Sequence, residues 1–526
     1  MEENREAGVP QSGPRWTLAV CGMVLITIAG VYWARRPNPK DDPGTLGIAN
    51  HHRKVDIDQL RPQVIQFCGA CHETPSASYF SKDDWPKEVA LGYSFYERSL
   101  RTDLKVPSQL AVVEFYSQQA PAELPMVEDN VVTSPSPVRF RRREVPRPVA
   151  KLNPMVTHVT WLPAMGGDDA ALFLCGMNSG VHKLNPMYPA DAQSLGSFFY
   201  PDHVTPTDLD GDGQRDFVVC ELGSHQPEDH DRGRVLWLRR HPASGEMETV
   251  VLQDQLARVA DAQPADVDGD GDLDLIVAEF GWRATGHILF LENEGLTDGR
   301  PQFRKHVLDD RHGTIHVPVA DLNGDGRPDF VALISQEHET IVAFLNLGDG
   351  KFDRQTIMAG RDPAYGSSGI QLVDFDRDGD LDVLYTNGDS FDGFVAKPYH
   401  GVQWLENRGS YPFELHPIAK MPGVHRALTG DMDGDGDLDF AAVAFLPPRA
   451  AEIKPNQPPL VSVAWFEQTR PGEFVRHVLE EHTCHHPTCE LADIDDDGDL
   501  DLIVGQFVET PTKSEPWITI WINEGK

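Results

Sequence analysis

Two groups of residues in this sequence are arranged for chemistry. The first is Cys68-Gly69-Ala70-Cys71-His72, a C-x-x-C-H pentapeptide. Two thiols at this spacing can add to the vinyl groups of one haem, and the adjacent imidazole then becomes the proximal iron ligand. A zinc site would need a second ligand pair close by, and the next cysteine is Cys175. A thioredoxin-like redox site would need a βαβ unit around the motif, and the flanking sequence shows none. The second group is a nine-residue motif, D-x-[DN]-x-D-G-x-x-D, which occurs six times.

The six copies place oxygen donors at alternate positions. They are Asp208, Asp210, Asp212, Gln214 and Asp216; Asp266, Asp268, Asp270, Asp272 and Asp274; Asp321, Asn323, Asp325, Arg327 and Asp329; Asp374, Asp376, Asp378, Asp380 and Asp382; Asp431, Asp433, Asp435, Asp437 and Asp439; and Asp493, Asp495, Asp497, Asp499 and Asp501. Carboxylates at positions one, three and five converge when such a loop wraps a hard cation, and the glycine at six permits the sharp turn. Position seven would contribute its backbone carbonyl, which explains why Gln214 and Arg327 are tolerated there. Asp at nine completes the shell. An EF-hand would need a bidentate Glu at position twelve. Here that position is Val219, Val277, Ala332, Tyr385, Ala442 or Val504, inside an apolar run such as DFVVCEL. Such runs are short and β-rich, so strands follow the loops.

Charge supports a cation in each loop. The chain carries 46 basic and 82 acidic residues for a net −36, and the six loops hold 28 Asp against three Arg. Carboxylates packed this densely repel unless cations lie among them. About six Ca²⁺ are expected, in a structural role, because a closed carboxylate shell leaves little room for substrate. The acidity also argues against nucleic acid, whose phosphates attract basic surfaces.

These loops need a scaffold with the same period. Their starts are 53 to 62 residues apart, a spacing that marks a repeat architecture. A short strand precedes each loop, an apolar strand follows it, and a third element reads VLWLRR, ILFLEN, IVAFLN, VQWLEN, VAWFEQ or ITIWIN. A fourth reads PQFRKHVL, GKFDRQTI, YPFELHPI or GEFVRHVL. Four antiparallel strands per repeat make a propeller blade. Residues 157–184 follow the same order with a loop, Gly166-Gly-Asp-Asp169, that has lost the ligand pattern. That gives seven blades, six of them calcium-binding. The chain ends at Lys526 without the last blade's outer strand. Val138-Arg-Phe-Arg-Arg-Arg-Glu-Val145 matches that element and is expected to close the ring, leaving few exposed edges.

The haem motif sits in helical sequence. Val55, Ile57, Leu60, Val64, Ile65 and Phe67 form an apolar stripe that ends at Cys68. Ser81–Asp84 opens a second helix with Trp85 and Pro86 in its first turn. Pro107-Ser108 opens a third over Gln109–Gln119, with Leu110, Val112, Val113, Phe115 and Tyr116 inward. The distal iron ligand is open: Met126 is the candidate methionine, His51 or His52 could serve, and the position could hold water.

The repeats resemble FG-GAP/VCBS repeats, the units of integrin-α-type propellers. Their pairing with a short cytochrome c-like domain resembles a group of bacterial envelope proteins. The resemblance covers about residues 50–526 and implies a propeller with calcium in the loop after each inner strand. The degenerate first blade, Asn323 and the absence of a methionine in the middle helix depart from it. Function on this reading is one-electron transfer by one covalent haem c, with the propeller docking a redox partner or ligand of unknown identity. Two alternatives stay open: a cell-surface propeller that binds carbohydrate or protein, and a haem-coupled oxidoreductase with its substrate on the propeller. No catalytic constellation is visible.

Trp16 to Ala34 contains no charged residue in 19 positions, and at ~1.5 Å per residue it spans a bilayer core. An uncleaved inner-membrane anchor is expected, with a cleaved signal peptide as its rival. The flanking Arg35, Arg36 and Lys40 favour a cytosolic C-terminal side, whereas the haem motif places that side in the periplasm or outside the cell. The fold class is thus multidomain: tail 1–15, transmembrane anchor 16–34, linker 35–50, all-α cytochrome c-like domain 51–125, linker 126–137, and an all-β seven-bladed propeller 138–526 with closing strand 138–145. Outside the anchor and the haem motif stand Cys175, Cys220, Cys484 and Cys489. Cys484 and Cys489 frame CHHPTC, where a local disulfide is expected and a metal site using His485 and His486 is the alternative. His158, His203, His316, His425 and His486 precede inner strands, on the side away from the calcium loops. Arg258 and Ser367/Ser368 stand near the corresponding places in two other blades. The histidines are either unrelated loop residues or a ligand-binding patch.

Overall fold

The computed structural model describes residues 56–70, 74–98, 101–124, 129, 131–147, 152–164, 169–189, 192–241, 244–361, 363–391, 396–448, 450, 459–509 and 515–526. The expected anchor over 16–34, His51, His52, Cys71, His72 and Met126 lie outside the described residues. Among those described, no helix is long and apolar enough to cross a membrane.

Three helices come first: α1 Ile57–Cys68, α2 Trp85–Arg98 and α3 Gln109–Gln119. Ser108 caps α3 by accepting the Ala111 N–H at 3.3 Å, and Pro86 occupies the first turn of α2, where no N–H is needed. Val64, Phe67, Val89, Val112, Phe115 and Tyr116 are buried. Trp85 stacks on Tyr116 at 3.8 Å and donates its indole N–H to the Ala77 carbonyl at 2.9 Å. Two expected inward residues face solvent: Leu110 is 78% and Ile65 51% exposed. Each follows or precedes its buried neighbour by one or two positions, a rotation of ~100–200° that puts it on the opposite face of a 3.6-residue helix.

The remainder is a seven-bladed propeller of seven separate sheets. The inner strands are Val156–Leu162, Pro201–Thr207, Val259–Ala265, Thr314–His316 with Val319–Ala320, Gly369–Val373, Val424–Gly430 and Cys489–Ala492. Each second strand, for example Asp274–Glu279, is buried along its whole length because neighbouring blades cover both its faces. That explains the unbroken apolar runs, where a sheet with one wet face would alternate. Seven apolar clusters fill the seven interfaces between blades, including the one joining blade 7 to the degenerate blade 1 through Ile503, Ile520, Val159 and Leu172.

The ring closes as expected. Phe140–Val145 pairs antiparallel with Ile518–Asn523, from Phe140 opposite Asn523 to Val145 opposite Ile518. The expected linker 126–137 is not wholly a linker. Val132–Thr133 pairs in parallel with Val475 and Arg476 on the outer edge of blade 6, too short a run to leave a periodic signal.

Candidate functional site

In a four-stranded antiparallel blade the turns between strands 1 and 2 and between 3 and 4 share one face of the propeller. The turns between 2 and 3 and the crossovers between blades share the other. The Asp-rich motifs are the first kind. Within them Asp208, Asp210 and Asp216, Asp266, Asp268 and Asp274, and Asp374, Asp376 and Asp378 each bring three oxygens within 4.8 Å of one another. The first Asp accepts loop N–H groups, as Asp266 does from Gly269 at 2.8 Å and Gly271 at 3.2 Å. The third accepts from the fifth, and the fifth from the seventh. Paired loop glycines adopt positive φ, as at Gly269 and Gly271, which a side chain would disfavour.

The Asp at position nine does more than complete a shell. Asp274 accepts the Val267 N–H at 2.9 Å and the Asn293 N–H at 2.7 Å, so one carboxylate joins strands 1, 2 and 3. Asp329, Asp382, Asp439 and Asp501 make the same two bonds. Burial pushes their carboxyls up, Asp439 and Asp501 to about 7, Asp274 and Asp382 to about 6. The residues fit a hard cation on a further count. Asp210 Oδ1, Asp374 Oδ1, Asp437 Oδ1 and Asp495 Oδ1 are buried oxygens with no hydrogen-bond partner, a costly state unless a cation satisfies them. Three loops carry a basic group among the acids. Arg239 lies 3.3 Å from Asp210, Arg327 pairs with Asp325, and the Lys526 ammonium lies 3.1 Å from Asp433.

On the opposite face the inner strands are interrupted at one common rung. The register breaks just before His158, His203, Asp261, His316 and Arg426 in blades 1, 2, 3, 4 and 6. A bulge re-aims the side chain that follows it, and these five converge on the channel. The His158 and His203 rings are 3.8 Å apart. Asp261 lies 3.5 Å from His203 and 3.9 Å from His316, and is held by the Val317 N–H at 3.0 Å and the Gln263 amide at 2.7 Å. In blade 5 the rung is Gly369, where a Cβ would stand 2.8 Å from the His425 carbonyl.

Burial, then the other imidazoles and Arg426, hold His158 well below its usual range. Burial and Arg426 bring His316 down to about 3. Burial brings His425 down to about 4, against the opposing hydrogen bond to the Pro487 carbonyl. Burial drives Asp202 up to about 7. At neutral pH the channel therefore presents neutral imidazoles beside an ionised Asp261, which the neighbouring histidines help hold below the usual carboxylate range, and the Arg426 guanidinium.

Sequence reasoning found three of these groups and misplaced others. His158, His203 and His316 belong to the rung, within the strands rather than before them. His425 stands one residue ahead of Arg426. His486 is fully buried and bonds Glu480 at 2.8 Å, so it is a wall residue. Arg258 lies over the Phe280 ring, and Ser367 and Ser368 bond neighbouring blades. Asp261 and Arg426 were missed; only their matching offset from the next Asp-rich loop could have exposed them. The expected Cys484–Cys489 disulfide does not form. Both thiols are free and buried, because Cys489 is committed to strand pairing with Val504 while Cys484 turns toward Ser462.

The helical domain sits on this same face. Tyr79 donates to the Arg361 carbonyl at 3.1 Å, the Lys397 ammonium lies 4.6 Å from the Phe80 ring centre, and the Arg283 guanidinium lies 3.9 Å from that of Phe95. Arg361 belongs to a crossover between blades, Lys397 and Arg283 to turns between strands 2 and 3. Cys68, at the end of α1, is half-buried and free, and burial pushes its thiol up, unlike a nucleophilic thiolate. Beside it stands the buried Tyr116 hydroxyl, which is hydrogen-bonded to the Cys68 thiol.

The model of the FG-GAP-like repeat matches residues 208–277, 266–332 and 321–385, each window running from one Asp-rich loop through the strand after the next. These are FG-GAP-like repeats. Human Cartilage acidic protein 1 is 28% identical over 172 residues, 31% of this chain and 23% of that protein. The chain thus spans about a quarter of that relative's length. Two solved structures of BBS1N in complex with ARL6DN, soaked with mercury or lead, cover 73% of this chain at 10% and 11% identity, and 97% and 95% of their own, with TM-scores of 0.43 and 0.42.

Proposed function

We propose that this FG-GAP propeller is a calcium-held docking platform joined to a c-type cytochrome. Cys68, Cys71 and His72 hold the haem, with Met126 as the candidate distal ligand, and residues 16–34 tether the chain so that both domains lie in the periplasm or outside the cell. The haem supplies one-electron chemistry. What supports the reading is that α1, which ends in Cys68, belongs to a domain seated on the channel face. A partner or ligand received there meets neutral imidazoles close to that domain. About six Ca²⁺ on the far face hold the blades, bound by the oxygens at positions one, three, five and nine and the backbone carbonyl at seven.

The test is a haem stain and visible spectrum of the full chain made with cytochrome c maturation machinery, beside a Cys68→Ala/Cys71→Ala control. A covalent haem with a reduced α-band that the control lacks supports electron transfer. A chain without covalent haem overturns it and leaves the surface-binding propeller.

A further inference from the structure

The channel face carries a second cluster, off the axis, that the repeat pattern does not explain. His312 lies in the crossover from blade 3 to blade 4, and Glu337 and His338 lie in the turn between strands 2 and 3 of blade 4. One donor atom from each falls within 4.8 Å of the others. His312 Nε2 is 3.0 Å from Glu337 Oε2 and the two imidazole rings are 5.1 Å apart. His338 Nε2 is buried and has no hydrogen-bond partner.

Three other histidine–glutamate pairs are part of the repeat. His306, His416 and His477, each on an outer strand, lie against Phe290, Trp404 and Trp465 and bond Glu292, Glu406 and Glu467 two residues further on. They latch strand 4 to strand 3. In the Glu406, Glu414 and His416 trio, Arg408 already pairs with both carboxylates. The His312 cluster follows none of these repeat pairs and joins two connections between strands.

It is also rigidly framed. Ser335 donates its N–H and its hydroxyl to the Gly313 carbonyl at 2.8 and 2.9 Å. The buried Glu339 carboxylate accepts the Gly366 and Ser367 N–H groups. Gln336 and Glu339, on either side of the ligand pair, both have positive φ, 57° and 39°. Arg283 lies 3.8 Å from Glu337, but its guanidinium is stacked against Phe95 and Trp282.

We propose that His312, Glu337 and His338 bind a borderline divalent transition metal such as Zn²⁺, through two imidazole nitrogens and one carboxylate oxygen. Two nitrogens make the set unsuited to Ca²⁺, and three protein ligands leave a coordination position open. The propeller would then carry hard cations on one face and a borderline one on the other.

The test uses the full chain with excess Ca²⁺, titrated with Zn²⁺ by calorimetry and with Co²⁺ by visible absorption. One Zn²⁺ per chain, with Co²⁺ d–d bands, is expected, and His338→Gln and Glu337→Gln should each weaken it by at least ~10–100-fold, the loss typical even of a ligand's supporting partners. His416→Gln should leave it unchanged. Thermal unfolding in Ca²⁺ establishes that each variant is folded; if His338→Gln is not, Glu337→Gln and His312→Gln decide. Absence of a Ca²⁺-independent Zn²⁺ site, or unchanged binding in the folded variants, overturns the proposal whether or not the chain carries haem.

Discussion

The two faces of the propeller are made by the same strands and obey different rules. On one face six turns repeat a single oxygen-rich motif, and five of the position-nine aspartates tie together the loop, strand 2 and strand 3. On the other, the common rung carries three imidazoles, Asp261 and Arg426, and a helical domain covers part of the surface. Repetition on the first face serves the fold, because five blades share the same latch. Divergence on the second marks where particular groups were placed: His312 meets Glu337 across two connections, and Arg426 donates to the Ile370 carbonyl of blade 5 at 3.1 Å.

The comparison breaks most visibly if the proposed Ca²⁺ ions are removed. Chelation should lower Tm by more than about 10 °C, given ~2.7 kcal/mol per site at hundredfold saturation and a few degrees per kcal/mol. Thermal unfolding with and without a calcium chelator measures it. An unchanged Tm would mean that the orphaned oxygens of Asp210, Asp374, Asp437 and Asp495 are satisfied by water.

Within the motif, position nine should outweigh position seven. Asp274→Ala strands two buried N–H groups and should cost about 2–5 kcal/mol. Asp380→Ala removes an exposed position-seven side chain and should stay within about 0.5 kcal/mol in a calcium-saturated protein. Denaturant unfolding of the two variants decides. Similar losses would make the position-nine carboxylate a cation ligand only.

Most of the face with the Asp-rich loops could be read from the sequence, and most of the channel face could not. Motif spacing exposed the loops, the strands after them, the seventh blade and the closing strand over 138–145, because a fixed period survives in one dimension. The channel rung depends on where a bulge falls, so Asp261 and Arg426 looked like ordinary strand residues. Cys484 and Cys489 looked paired from their spacing, yet strand pairing turns them apart. Leu110 shows the same limit on a smaller scale, since a short helix has too few turns for its pattern to fix which face is buried.

The imidazoles should give the channel face its own pH signature. His316 and His425, at about 3 and about 4 in the folded chain against ~6.5 unfolded, take up protons more readily when unfolded. Their contribution is complete above pH ~6.5 and shrinks as pH falls toward those folded values, by at most ~1.4 kcal/mol per histidine per unit. Asp202 and Glu339, raised by burial to about 7 and about 8, work oppositely and cost stability as pH rises toward those values. A His316→Gln/His425→Gln variant should therefore lose less stability than the parent between pH 6.5 and 4.5. Parallel curves would place these imidazoles in contact with bulk water.

The smallest effect should come from the seam between the helices and the propeller. Arg283 lies over Phe95 and Trp282 and beside Glu337, and a cation–π contact of this kind contributes about 0.5–2 kcal/mol. Arg283→Ala should leave propeller unfolding within about 1 kcal/mol of the parent, because none of the seven apolar clusters between blades contains it. The helices have less to lose before they loosen, since they bury one small cluster of their own. Amide hydrogen exchange should therefore quicken in α2 while second strands such as Asp274–Glu279 keep their protection. Equal quickening in both would show the two parts opening as one unit, and would extend to the helical domain the cooperativity that the repeats give the ring.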